Sequence, residues 1–291
     1  MFKFLLGLVI LVLTLGGHVS PALAQDMALA QGSRLPESAY APEIQQILER
    51  GTLVVAMLDQ ENPPFFMTSP QHQLVGLDIN LAQDLADRLG VKLRLHRTAT
   101  TFDQVVNAVF RGEADMAISK ISRTLNRGLR VRFSRPYLEM RQGLLVNRIL
   151  LTQQAHGSTM TETLRRLQGK VGVIQGSSYV EFLRQKFPLA NVVEFGSWPR
   201  LVDAVTAGEI LAAYRDELEI KQLALTRPNA ALNLQTVALT DTRDALAIVL
   251  PWDSPQLLAF VDQYLAASAT DYTVDALLQR YADDWLPQTR N

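Results

Sequence analysis

Apolar residues recur along most of this chain with two alternating periods. Glu43 to Arg50 reads as a short helix ending at Gly51, and Thr52 to Met57 as a hydrophobic strand. The Asn62-Pro63-Pro64 stretch then forces an irregular loop. Leu81, Ala82, Leu85, Ala86 and Leu89 share one face of a helix, with Asp78 as its N-cap and Gly90 as a left-handed C-cap. Val91, Leu93 and Leu95 alternate with Lys92, Arg94 and His96, which predicts a strand. Phe102 to Arg111 returns to the helical period, Gly112 closes it, and Asp115 to Ile118 forms the next strand. The second half follows the same scheme. Strands are predicted at Gly169–Ile174, Ile210–Tyr214 and Asp244–Leu250, with helices at Tyr179–Phe187, Leu201–Ala207, about 255–268 and 274–283. This rhythm predicts an α/β protein whose mainly parallel sheets carry helices on both faces.

The two halves also share residues. Positions 102–120 align without gaps on 198–216, with six of the nineteen identical, among them the Gly-Glu pairs 112–113 and 208–209. With matching helix-turn-strand readings, the match suggests two lobes of one design. It places Lys120 and Asp216 at equivalent positions, each just past the C-terminal end of a strand. Ligands of open α/β sheets bind beyond those ends. Facing lobes would therefore bring a cation and an anion into one cleft.

Composition narrows the class. The chain has 291 residues, enough for two modest lobes, and a formal net charge of -1. That balance argues against nucleic acid, which needs a basic face. At the N-terminus, Lys3 precedes an apolar run from Phe4 to Leu15, then Gly16, Gly17 and the small-x-small Ala22-Leu23-Ala24. Residues 1–24 are read as a signal peptide cleaved near Ala24, the apolar run being shorter than the roughly 20 residues of a spanning helix. Residues 25–42, polar and small with Pro36 and Pro42, are read as a linker. There is no cysteine, which removes thiol catalysis, zinc thiolates and lipid attachment through cysteine.

A search for chemistry returns little. Gly172 and Gly176 lack the spacing of a phosphate loop, and no histidine has metal-ligand spacing, so no cofactor or metal is expected. Ser119-Lys120-Ile121-Ser122 leads into Arg123–Arg127. It reads either as an anion site, where hydroxyls and a guanidinium converge on a carboxylate, or as a solvated basic loop. Gln175-Gly176-Ser177-Ser178 opens a helix, with Ser178 as N-cap and its free N–H groups open to an anion. Asp216 reads as an ammonium acceptor or an ordinary exposed acid. Only Asp59 and Glu61 stand out as carboxylates for cleft catalysis.

From about Arg50 to Leu286 the chain resembles the bacterial periplasmic solute-binding proteins for polar amino acids, whose architecture is that of glutamate-receptor ligand-binding cores. The markers are Gly51–Ala56, Pro63-Pro64-Phe65, Gly76-Leu77-Asp78, Ser122-x-Thr124-x-x-Arg127, Val131–Tyr137, Gly169–Val173, Gln175–Ser178, Asp216 and Tyr281–Trp285. The resemblance implies a discontinuous first lobe, 43–140 and 243–288, and a second lobe, 141–242, joined by two hinge strands with an amino acid between them. Arg127 would grip the ligand α-carboxylate, helped by Ser122 and Ser178, and Asp216 would take the ammonium. Phe102 would wall the ligand side chain, Ile174 would line the second lobe, and Asp59 would read the polar end. Three departures qualify this, one being Leu211 where the family usually has an Asp in the strand before the ammonium-binding acid. Asn62 stands where a stacking aromatic is usual. Lys120 replaces a small residue, either to meet an acidic ligand side chain or to pair internally with Asp216 or Asp59. The implied protein is a monomeric, non-enzymatic periplasmic receptor. It would deliver a polar, acidic or amide-bearing amino acid to an ABC permease and its ATPase. The alternatives are a sensory ligand-binding protein and an enzyme on the same scaffold, such as a cyclohexadienyl-dehydratase-like protein.

Overall fold

The computed structural model describes residues 40–155, 157–226, 233–268 and 272–285. The expected signal peptide and most of the linker lie outside them. Helix α1 (Pro42–Arg50) leads into strand β1 (Thr52–Leu58), whose side chains are buried on both faces from Leu53 onward, as a central parallel strand requires. A two-stranded ribbon, β2 (Met67–Thr68) and β3 (Leu74–Val75), then leads to α2 (Leu77–Leu89), β4 (Lys92–Ala99), α3 (Phe102–Phe110) and β5 (Met116–Ala117). The short helix α4 (Leu125–Gly128) and β6 (Val131–Phe133) follow. With β12 (Val249–Pro251), these strands build the first sheet, ordered β4-β1-β5-β12-β6.

Strand β7 (Leu138–Asn147) carries the chain into the second sheet. There follow α5 (Arg148–Ala155), α6 (Met160–Arg165), β8 (Gly169–Ile174), α7 (Tyr179–Lys186), β9 (Ala190–Phe195) and α8 (Trp198–Thr206). Then come β10 (Ala212–Asp216), α9 (Glu217–Thr226) and β11 (Leu234–Leu246), giving the order β11-β7-β10-β8-β9. The chain closes with α10 (Pro255–Ala267), α11 (Val274–Arg280) and α12 (Ala282–Trp285). Parallel pairing joins β4-β1-β5 and β10-β8-β9, and the strands beside them add on antiparallel. The central strands β1, β5 and β10 are buried on both faces, while the edge strands β4, β9 and β11 alternate with exposed positions. In the second sheet, Leu144, Val146 and Tyr214 pack on one side, while Leu145 and Ala213 meet Leu201 and Val205 on the other.

The long strands β7 and β11 connect the two lobes. They pair antiparallel at both ends, with a shift of register between Leu239 and Asp244.

Several local expectations change. The α2 face of Leu81, Ala82, Leu85, Ala86 and Leu89 is buried, and Gly90 is left-handed with φ 67°. Asp78, however, is not the cap. Gly76 holds that position, and Asp78 lies fully buried one residue inside the helix. Gly76 is dictated by space, since a Cβ there would sit 2.3 Å from the Phe65 carbonyl oxygen. The strand expected over Asp244–Leu250 breaks in two. β11 ends at Leu246, and the chain crosses to the first sheet where Ala247 N–H donates to Ile121 O and Ile248 N–H to Ser134 Oγ. Hydrophobicity alone does not mark that crossing, because the run is buried in both sheets. The repeated segments coincide in structure: α3 and α8, the left-handed Gly112 and Gly208, and strands starting at Met116 and Ala212.

Candidate functional site

The first lobe presents the residues that follow β5. Lys120 adopts left-handed backbone geometry (φ 51°), rare for a residue with a Cβ, and its N–H donates to Asp78 Oδ2 at 2.6 Å. This bond supplies the fully buried Asp78 carboxylate with a donor. Burial pushes the Asp78 carboxyl up to about 7, against the opposing pull of that N–H. Two residues on, Ser122 pairs with Leu246 in an isolated bridge. Thr124 caps α4 by accepting the N–H of Arg127, which sets that guanidinium, 3% exposed, under the first lobe. Arg127 Nη1 donates to Ser122 O at 3.1 Å, while Nε and Nη2 both donate to the half-exposed Asp103 Oδ1, at 3.0 and 2.9 Å.

The second lobe presents the ends of β8 and β10. The turn after β8 brings Gly176 O to accept from Asp103 N–H at 3.1 Å and Ser178 Oγ to donate to Ser122 Oγ at 2.9 Å. Ser178 was expected to cap α7; it has helical backbone geometry and makes no side-chain cap, its hydroxyl being used across the cleft instead. At the end of β10 lie Arg215 and Asp216, with Glu219 in the first turn of α9, all buried. Lys120 reaches them from the first lobe: its Nζ lies 3.0 Å from Asp216 Oδ2 and 3.0 Å from Glu219 Oε1. Arg215 Nη2 donates to the same Glu219 oxygen at 3.0 Å, and Asn62 Nδ2 at 3.2 Å. Burial alone would raise the Glu219 carboxyl, but Lys120 and Arg215 outweigh it and hold it low. Lys120 is thus paired internally with Asp216, one of the two roles open to it.

The cleft contains a small cavity of about 10 Å³, lined by Phe102, Ser122, Arg127, Ser178, Asp216 and Asp244 among others. Phe102 and Arg215 also line a larger space of about 440 Å³, with Asn62, Ile174, Trp198 and Glu219. Arg127 and Ser178 also border a third, of about 520 Å³, with Asp103, Thr124 and Glu181. Eight of the nine expected residues line these three spaces: Asn62, Phe102, Lys120, Ser122, Arg127, Ile174, Ser178 and Asp216. Asp59 does not. Its backbone is fixed by Ala99 and Arg97, and its side chain is exposed and lines none of these spaces.

Sequence reasoning missed Asp103, Tyr179, Arg215, Glu219 and Asp244. Tyr179 O–H donates to Asp244 Oδ2 at 2.9 Å. Asp244 is 1% exposed, and burial, with the Asp216 charge beside it, raises its carboxyl above the ordinary range. The carboxylates with unusual surroundings are thus Asp78, Asp216 and Asp244, not the exposed Asp59 and Glu61. A signal for Glu219 existed, an acid three residues after Asp216, the spacing of a helix cap and the residue whose N–H it accepts; Asp244 sits in a polar alternation that resembles any edge strand.

Two α/β lobes on two crossing strands, with polar residues of both lobes facing one cleft, define a two-domain binding protein. The chain belongs to the bacterial extracellular solute-binding proteins, family 3, whose model matches residues 53–284. It is 27% identical over 263 residues to the L-cystine-binding protein TcyJ of Escherichia coli K12, covering 89% of this chain and 94% of that protein. Among solved structures, the ancestral amino acid-binding protein AncCDT-1, described as a precursor of cyclohexadienyl dehydratase, is 27% identical. It superimposes with a TM-score of 0.64 over 82% of this chain and 98% of that one. The substrate-binding protein AbpA of Streptococcus pneumoniae, bound to L-arginine, is 26% identical with a TM-score of 0.62, over 82% and 93% of the two chains.

Proposed function

We propose that this protein is a periplasmic receptor that captures an amino acid between its lobes and presents it to the permease of an ABC importer, without chemical turnover. One observation carries the reading: Arg127 and Ser122 from one lobe and Ser178 and Asp216 from the other line the same buried cavity. A ligand carboxylate replaces Asp103 on the Nε–Nη2 edge of Arg127, an exchange of one carboxylate for another that leaves the buried charge balanced. The ligand side chain extends past Phe102 into the 440 Å³ space, where Asn62, Arg215 and Glu219 suit a polar end. The 10 Å³ cavity admits no amino acid as it stands, so entry requires the lobes to part. Closure is favoured by any ligand that makes its full contacts only when both lobes meet. The names of the relatives support an amino-acid ligand, cystine and arginine among them.

The test is calorimetric titration of the purified protein with the proteinogenic amino acids and L-cystine. Binding of at least one without new products on chromatography is expected; a product peak moves the protein to the dehydratase-like reading, which the likeness to AncCDT-1 keeps in view. Arg127→Ala should weaken binding by about 2–5 kcal/mol, roughly thirtyfold to a few thousandfold in Kd, because a buried carboxylate loses its cation. Unchanged affinity removes Arg127 from the site.

A further inference from the structure

Asp216, which the family pattern offers to a ligand ammonium, is already engaged on both oxygens. Oδ2 holds Lys120 Nζ at 3.0 Å and faces Arg215 Nε at 3.5 Å, while Oδ1 accepts the Glu219 N–H at 3.1 Å. An ammonium arriving there meets two buried cations, and like charges in so confined a site oppose it strongly. Lys120 is held in that position from its own backbone, through the bond to Asp78 and the left-handed turn.

A second carboxylate lines the same cavity. Asp244, on the crossing strand β11, is 1% exposed; Oδ2 accepts from Tyr179, the Ser122 hydroxyl lies beside the carboxylate as a second donor, and Oδ1 makes no hydrogen bond of good geometry. A buried carboxylate oxygen left unpaired is costly, and few native groups are left so without a use. No cation lies within ion-pairing distance of Asp244 among the described residues, in contrast to Asp216. Its neighbours are the Tyr179 hydroxyl, Ser122 and the negative Asp216, with the Lys120 charge farther off. That setting disfavours the ionised form, and a cation brought to Oδ1 would restore it.

We infer that Asp244, rather than Asp216, receives the ammonium group of the ligand, and that Lys120 is the resident cation of Asp216. This rests on the receptor reading above and names the contact that distinguishes an amino acid from its deaminated relatives. The carboxylate then lies on Arg127 in the first lobe, and the ammonium on the strand that links the lobes.

The experiment compares the amino acid bound most tightly in the panel with its 2-hydroxy acid, which keeps carboxylate and side chain but lacks the ammonium. Wild-type protein should prefer the amino acid by about ten- to a hundredfold, the range of a charged hydrogen bond. In Asp244→Asn, an isosteric change that still accepts from Tyr179, the preference should fall to within a few fold of unity. Should circular dichroism show that this variant does not fold, the smaller Asp244→Ser serves with the same expectation. A preference retained in the folded Asp244 variant overturns the assignment. So does a wild-type protein that binds both ligands equally or favours the hydroxy acid. If wild type binds no member of either series, it is the receptor reading that falls.

Discussion

In the first lobe, Thr101 precedes α3, Gly112 turns left-handed with φ 72°, and the strand begins at Met116; in the second, Ser197 precedes α8, Gly208 turns with φ 74°, and the strand begins at Ala212. The offset is constant throughout, and Val106, Ala108 and Val109 are buried as Val202, Ala204 and Val205 are. The two units part at their last residue. Asp216 stays in the β10 ladder, while Lys120 leaves its strand through a left-handed turn secured by Asp78. The same scaffold thus ends once in an anion and once in a cation, and the two meet at 3.0 Å across the cleft. Equivalent backbone positions carry shared packing; the terminal side chain and its local turn carry the site.

The largest effect expected from breaking this comparison is at Lys120. Lys120→Met leaves Asp216 and Glu219 buried with Arg215 as their remaining cation, and should cost about 3–5 kcal/mol in urea unfolding. Asp216→Asn on that background should recover part of it, since the pair is coupled. A loss below about 1 kcal/mol would mean that the cross-cleft ion pair does not hold the lobes.

Next comes the turn that makes the two ends different. Asp78 has its carboxyl raised from 3.8 to about 7, so between those values the folded chain keeps a proton that the unfolded chain has lost. The sign follows: this group makes stability fall as pH rises through that window, by up to about 1.4 kcal/mol per pH unit. Asp78→Asn removes the slope. Its stability should therefore vary less steeply than wild type between about pH 4 and pH 7, as read by urea melts at several pH values. Parallel curves would show that Asp78 is ionised throughout.

The smallest effect tests equivalence itself. Gly112→Ala and Gly208→Ala each place a Cβ on a left-handed residue, at about 1–2 kcal/mol. Space is no obstacle at either: nothing lies within 4 Å of the new Cβ at Gly112, and its nearest contact at Gly208 is 3.7 Å away. The two losses should agree within a few tenths of a kcal/mol, and a clear difference between their melting temperatures would show that the lobes do not strain these turns alike.

How far the sequence reveals this molecule differs between fold and site. The repeat was legible because periodicity of 3.6, then a glycine, then a short apolar run depends only on neighbours along the chain. Gly90 announced itself for the same reason. Asp78 misled, because an acid before an apolar helix reads as a cap, and only the distant N–H of Lys120 makes it a buried acceptor. Arg215 and Glu219 look like ordinary charges of a strand end and a helix start; their burial comes from lobes brought together. Asp59 followed the family pattern but not the local backbone, where Arg97 anchors its loop. Residues whose role is set across the cleft are the ones that local pattern cannot reach.

The shift of register in the crossing strands bears on how capture is transmitted. Five steps along β11, from Leu239 to Asp244, answer two along β7, from Gln142 to Met140. The surplus length gathers where the lobes articulate, and pairing resumes at Asp244 itself. On the assignment proposed above, the group that senses the ligand's positive end is then part of the pivot and not only of the jaws. Occupancy would stiffen the axle directly, so that a spectroscopic label on β11 should report loading before any probe at the rim of the cleft.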